Sequence, residues 1–451
     1  MDENVSTTRI TDTKRFCTHL AGTTYGDLSE RARQECRRGV LDWLGCALAG
    51  SVHPTITKLV TVLEKLGGKP CATVFGRNMK LGLLDAALAN GQMGHILDFD
   101  DTHMGGVVLH TSSPVLSALF PLSEERVVDG RAFMLAYAVG LEAGVRTGQT
   151  APLHHAGGWH LTGTLGSIAA GVAAGKLLGL DGQQLTYAMG ISGTQAAGMQ
   201  QNRGTMCKSF HAGKAASSGV LAALLAENGY DSSQEIVEGK RGFCRIYSTT
   251  AAPEKLLEGL GKSWEIERNG HKPYACGVVL HPLIDACIGA RAKVGADVSK
   301  ITEVALRVHP LVLSITGLTE PTTGLQTKFS VNHSAAVALI DGAAGRAQYT
   351  DAKALDPTIM TLRRKVTAVT DDKLRKDEAY AIVTVDGVKH EVHIPHASGT
   401  VDNPMSDAAI EAKFMANAEP VVGADRAREI VAFVRDLDAA TDMSRLAALM
   451  A

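Results

Sequence analysis

Gly166-Ser167-Ile168-Ala169-Ala170-Gly171-Val172-Ala173-Ala174-Gly175 decides how this chain is read. It continues an apolar run that opens at Leu161, is broken by Thr162, Thr164 and Ser167, and ends at Lys176. The run is too short to span a bilayer, so it reads as a helix inside a globular protein. Small side chains let helix backbones approach closely, and Gly193 to Gly198 has the same texture. A tight, buried helical core is the expectation.

Outward from this segment, residues 1–265 read as mostly helical. Asp27-Leu28-Ser29-Glu30 resembles a helix start, and apolar positions then recur through Val40, Leu41, Trp43, Leu44 and Leu48. The pattern predicts further helices near 82–98, 113–125, 130–147, 162–178, 183–200, 209–228 and 233–239. The texture changes after Ser263. Trp264 to Arg268, Ile301 to His309 and Leu362 to Val369 alternate like strands. Ala379 to Val385, Asp386-Gly387, and Val388 to Ile394 read as a β-hairpin with a tight turn. Helices are predicted at 275–294 and 328–342, and the tail returns to helix near 406–418 and 423–450. The fold class is mainly α with an α+β domain.

Composition excludes several functions. The net charge is −2 and no basic tract occurs, so neither nucleic acid nor a membrane surface is an expected partner. The cysteines at 17, 36, 46, 71, 207, 244, 276 and 287 form no CxxC pair, which reads as reduced thiols in a cytoplasmic protein. Met1-Asp2-Glu3-Asn4 is acidic and no apolar signal region follows. There is no GxGxxG after a strand, no Walker A motif, no GxSxG elbow and no HExxH.

Five polar constellations carry the chemistry. His95-Ile96-Leu97-Asp98-Phe99-Asp100-Asp101-Thr102-His103 precedes His110-Thr111-Ser112-Ser113-Pro114. On a helix, His95, Asp98, Asp101 and Thr102 would share a face. The group reads as a proton-handling site, as a metal-dependent hydrolase centre of His95, Asp98, Asp101 and His103, or as a polar helix end. His154, His155 and His160 come next, with His160 and the hydroxyls of Thr162 and Thr164 at a helix start suited to an anion or simply to a cap. In Gln201 to Gly213, Lys208 and His211 lie one turn apart, and Arg203 is suited to clamp a carboxylate. Gly270 to Cys276, with His281 after it, lies near the texture change, a favoured place for a cleft. Lys328 to His333 opens an apolar helix, while His390, His393 and His396 read as surface or edge residues.

Taken together, Leu97 to His103 with His110 to Pro114, Trp159 to Thr164, Met206 to Gly213, and Lys272 to Cys276 with His281 resemble the MmgE/PrpD family in order and spacing. The resemblance implies a large all-helical domain of residues 1–265 and 406–451, with a smaller α+β lid of residues 266–405 inserted in it. It implies a homodimer, a site in the cleft between the domains, and neither metal nor organic cofactor. The implied function is a lyase acting next to a carboxylate of a small di- or tricarboxylic acid, by 2-methylcitrate-dehydratase-like or cis-aconitate-decarboxylase-like chemistry. The alternative within the family is an epimerase of a dicarboxylate such as iminodisuccinate. By matching, the pocket residues are Asp98, Thr102, His110, His160, Lys208 and Lys272, and a pocket tyrosine of the decarboxylase branch becomes His333. The expected roles are His110 and His160 as the acid/base pair, Asp98 orienting an imidazole, and Lys208 and Lys272 on substrate carboxylates. Thr102, Arg203 and His333 complete the expected substrate contacts.

Overall fold

Polar caps start most of the helices. In the computed structural model, which describes residues 10–295 and 297–451, Thr11 caps α1 (Asp12–Gly22) and Ser29 caps α2 (Glu30–Ser51). Each side chain accepts a backbone N–H that the helix leaves unpaired. Pro54 opens α3 (Pro54–Leu66), where its missing N–H costs nothing. A short hairpin, β1 (Ala72–Val74) and β2 (Met79–Leu81), precedes α4 (Leu83–Ile96) and α5 (Ser112–Glu125). Asp129 caps α6 (Gly130–Gln149), α7 (Leu161–Leu177) follows, Asp181 caps α8 (Gly182–Gly193) and Thr205 caps α9 (Met206–Glu227).

The Ala/Gly segment is the buried α7, which packs against α5, α6, α8 and α9. Close approach is visible at two glycines. A Cβ on Gly219 of α9 would lie 2.5 Å from the Gly171 nitrogen, and one on Gly213 would lie 2.1 Å from the Leu88 carbonyl oxygen of α4. Neither position admits alanine without moving a backbone. The main core is capped by Trp43, Phe75 and Phe120, whose rings lie 5.3 to 5.9 Å apart. Phe414, Ile430, Leu446 and Met450 from the far end of the chain join the same core. The helix Asp407–Val422 packs along α2.

A second core lies under a four-stranded sheet of β5 (Ile301–Val308), β6 (Val366–Thr370), β7 (Ala379–Val385) and β8 (Val388–Ile394), ordered β6-β5-β7-β8. β5 and β6 are parallel, and the other pairs are antiparallel. The helices His281–Val294 and Val331–Asp341 cover it. Asp386 and Gly387 both take positive φ (50° and 80°), the turn that the hairpin reading requires.

Several expected elements differ. Glu265–Arg268 is a 3-10 turn rather than a strand, and the 362–369 strand shrinks to β6 because Pro357–Arg363 is a capped helix. The 183–200 helix stops at Gly193; Met199 instead forms a bridge with Trp159. Residues 233–239 form turns, with Glu238 drawn off to accept from the Thr13 N–H. Helix 275–294 starts only at His281, where Pro282 occupies the first turn. Among the described residues, no single helix is long and apolar enough to cross a membrane.

Candidate active site

The loop after α4 is where the site begins. The helix ends at Ile96, and Asp98 adopts a left-handed conformation, φ 50°, with its N–H donated to the His95 carbonyl. Aspartate tolerates this region better than most side chains. The shared helical face expected for His95, Asp98, Asp101 and Thr102 is therefore absent, because the turn at Asp98 sends each side chain a different way. Asp101 accepts from Ser112 and Asn269, and burial pushes its carboxyl up to about 6. Thr102 lies in β3 (Thr102–His103), paired with β4 (Asn269–Gly270).

Asp98 itself is held between two ammonium groups. Lys208 Nζ, from the first turn of α9, donates to its Oδ2 at 2.8 Å. Lys272 Nζ donates to its Oδ1 at 2.6 Å and to its carbonyl at 3.0 Å. Burial alone would raise the Asp98 carboxyl, but Lys208 and Lys272 more than offset it and hold the group well below the usual range. Lys328 Nζ donates to the Leu97 and Ala275 carbonyls at 2.7 and 2.6 Å, closing the loop from behind. Burial pushes Lys328 down to about 8.

Beside this ion cluster runs an array of imidazoles. Asp100 receives His95 Nδ1 at 2.9 Å and His110 Nδ1 at 3.4 Å. Thr102 Oγ1 lies 3.2 Å from the same His110 nitrogen, and His110 Nε2 lies 3.9 Å from Asp98. The His95 ring stacks 5.6 Å from His160, and His160 Nδ1 meets His211 Nδ1 at 2.9 Å. Burial lowers His95 and His211 to about 4 and moves His110 and His160 down too, so all four are neutral near pH 7. Two neutral imidazoles 2.9 Å apart share one proton between their Nδ1 atoms.

These groups open onto a cleft of about 840 Å³ between the helical core and the sheet-bearing part. Asp98, His110, His160, Arg203, Lys208 and Lys272 line it. Two expected substrate contacts lie elsewhere. Thr102 is buried with its hydroxyl at His110, so it acts on the imidazole rather than on the cavity. His333 is buried with Nε2 2.8 Å from the Gln348 carbonyl, because Ser330 caps its helix and turns the ring inward. The quartet weighed as a metal centre does not converge either. His103 is held by Val107 and Glu265 at 3.0 Å, while Asp101 faces Ser112 and Asn269. The donor atoms that do converge, within 4.8 Å, belong to His95, Asp100 and His110, whose mutual hydrogen bonds account for their placement. Lys328, Asp100 and His211 join the cluster as well, and only the fold brings Lys328 to within reach of Leu97.

The sequence matches the MmgE/PrpD N-terminal domain over residues 14–256 and the MmgE/PrpD C-terminal domain over residues 274–439. It is 28% identical to a cis-aconitate decarboxylase of Aspergillus terreus over 97% of this chain and 95% of that one. It is 26% identical to the Homo sapiens cis-aconitate decarboxylase, over 97% and 94%. It is 25% identical to the 2-methylcitrate dehydratase of Cupriavidus necator, over 84% and 81%. With both domains matched, the chain belongs to the MmgE/PrpD family and is an enzyme of the lyase class.

Proposed function

We propose that the protein is a cofactor-independent lyase that makes or breaks a bond next to a carboxylate of a small di- or tricarboxylic acid, by decarboxylation or loss of water. The observation that carries this reading is Asp98 clamped by Lys208 and Lys272 at the cleft wall with His110 3.9 Å away. Lys208, Lys272 and Lys328 all act on Asp98, and among the described residues Asp98 and Asp100 are the carboxylates that answer this cluster. Three cations against two anions leave an excess of positive charge, a match for an anionic substrate. Substrate carboxylates would share the two lysines with Asp98. His110 has Nδ1 engaged by Asp100 and Thr102, which leaves Nε2 to take or deliver a proton at carbon. Charge that develops on carboxylate oxygens would meet fixed ammonium groups held in place by the fold. His160, locked by His211, is the second proton-handling group. We further propose that the enzyme works as a homodimer in the cytoplasm, in keeping with its eight free thiols.

The test is product analysis by NMR in D₂O with cis-aconitate and 2-methylcitrate as substrates. Release of CO₂ or water, lost in Lys208→Ala, is the expected result. Solvent deuterium at an inverted carbon with neither product released would replace the lyase by an epimerase. Full turnover in Lys208→Ala would overturn the residue roles.

A further inference from the structure

The cleft is larger than its inner end requires. At about 30 Å³ per water-sized group, 840 Å³ has room for nearly thirty such groups, whereas a tricarboxylate of the size considered above has about half as many heavy atoms. The same cleft is also lined by Arg203, His155 and Lys376. Arg203, half-buried after the 3-10 turn Gln200–Asn202, places its guanidinium 3.4 Å from His155 Nε2. Lys376, on the loop between β6 and β7, is exposed and lines the same cleft. Among the described residues, no carboxylate lies within 4.0 Å of either cation. His155 offers no negative charge, since burial, Arg203 and Lys376 together lower it to about 4. The acidic groups on the same wall are occupied: Glu265 by His103 and Gln149, and Glu258 by Lys255.

Two cations that line one cleft and both act on the same neutral imidazole, with no carboxylate in direct contact with either among the described residues, form an anion-binding arrangement. We propose that Arg203, His155 and Lys376 make a second anion subsite, and that the substrate is an elongated acid. One end sits at Lys208 and Lys272, and a further acidic terminus reaches the second subsite. This rests on the carboxylate-lyase reading above and adds the length of the substrate to it. The two cations come from different parts of the fold, so a ligand of the right length would also tie those parts together.

Isothermal titration of the purified protein with linear dicarboxylates from succinate to suberate tests the inference. The expected result is affinity that rises with chain length by at least tenfold, and a length preference that disappears in Arg203→Gln and in Lys376→Gln. Lys376, exposed on a loop, supplies the variant whose fold is least at risk. Equal affinity for succinate and suberate in the wild type, or a length preference kept in both variants, overturns the subsite. Lys208→Gln separates this from the underlying reading: it should weaken acids of every length, and if it weakens none, or if no acid binds the wild type, the carboxylate-lyase reading falls and the subsite with it. A phosphonate-ended acid of the preferred length, binding more tightly than its dicarboxylate counterpart, would assign the far terminus to a phosphoryl group.

Discussion

Two ion clusters in this molecule use the same parts to opposite ends. In the cleft, Asp98 sits between Lys208 and Lys272. Behind it, Asp42 sits between Lys413 (2.6 Å) and His271 (3.4 Å), and Glu35 between His271 (3.2 Å) and Arg38 (3.2 Å). Arg38 also reaches the exposed Asp407, so each cation of the rear cluster, Lys413, His271 and Arg38, has a carboxylate partner. The cleft cluster has cations to spare. A buried set of charges that balances serves the fold, because any missing partner leaves an uncompensated charge. A set that does not balance is completed only by a ligand, and that imbalance, rather than the mere presence of lysines, marks the site.

The largest effect should come from breaking the unbalanced cluster. Lys208→Ala and His160→Asn are each expected to lower kcat by about 10²- to 10⁴-fold, while Tm moves little, since Lys272 still answers Asp98 and asparagine still meets His211. A drop in Tm that parallels the drop in kcat would erase the distinction between the clusters.

Breaking the balanced cluster should instead be read in stability. Asp42→Asn leaves Lys413 and His271 facing each other in the interior and is expected to cost about 3–5 kcal/mol in urea unfolding. An unchanged unfolding midpoint would mean that the rear cluster does not stabilise the fold.

The rear cluster also predicts a pH dependence. Burial works against a charged His271, but Asp42 and Glu35 prevail and raise it to about 9. Its protonation therefore adds stability that is fully present below about pH 6.5 and is lost as pH rises through 9, up to about 3 kcal/mol in all. His271→Asn should flatten the fall in stability between pH 6.5 and 9; an identical pH profile in the variant would remove His271 from this role.

The smallest effect sharpens the boundary between the clusters. Thr102→Val removes one partner of His110 and leaves Asp100, so a loss of about 1 kcal/mol in transition-state stabilisation is expected. It should appear as a shifted pH–rate profile with little change in KM, whereas a direct substrate contact would raise KM.

Much of this was legible in the chain because the signals are local. The α7 run, the capped helix starts and the Asp386-Gly387 hairpin each declare themselves within a few residues. Motif order singles out Asp98, His110, His160, Lys208 and Lys272, and all five line the cleft. The rest depends on contacts far apart in sequence. A left-handed Asp98 is invisible in a helical pattern that runs through it, and that pattern puts Asp98 and Asp101 on one face that they do not share. His333 follows a motif match, yet a cap at Ser330 and the Gln348 carbonyl decide where its ring points. The counter-charges of His271 lie more than two hundred residues upstream, and nothing near residue 271 announces them.

One contact gives the order of synthesis a meaning. Lys413 Nζ donates to the Phe99 carbonyl, next to Asp98, and lies over the Phe99 ring at 3.9 Å. A ribosome delivers the loop that carries Asp98 some three hundred residues before the side chain that fastens it. The helical core around α7 has its partners early, but the loop that carries Asp98 waits for the Asp407–Val422 helix. A nascent chain that has not reached this helix holds every motif of the site and still lacks its clasp.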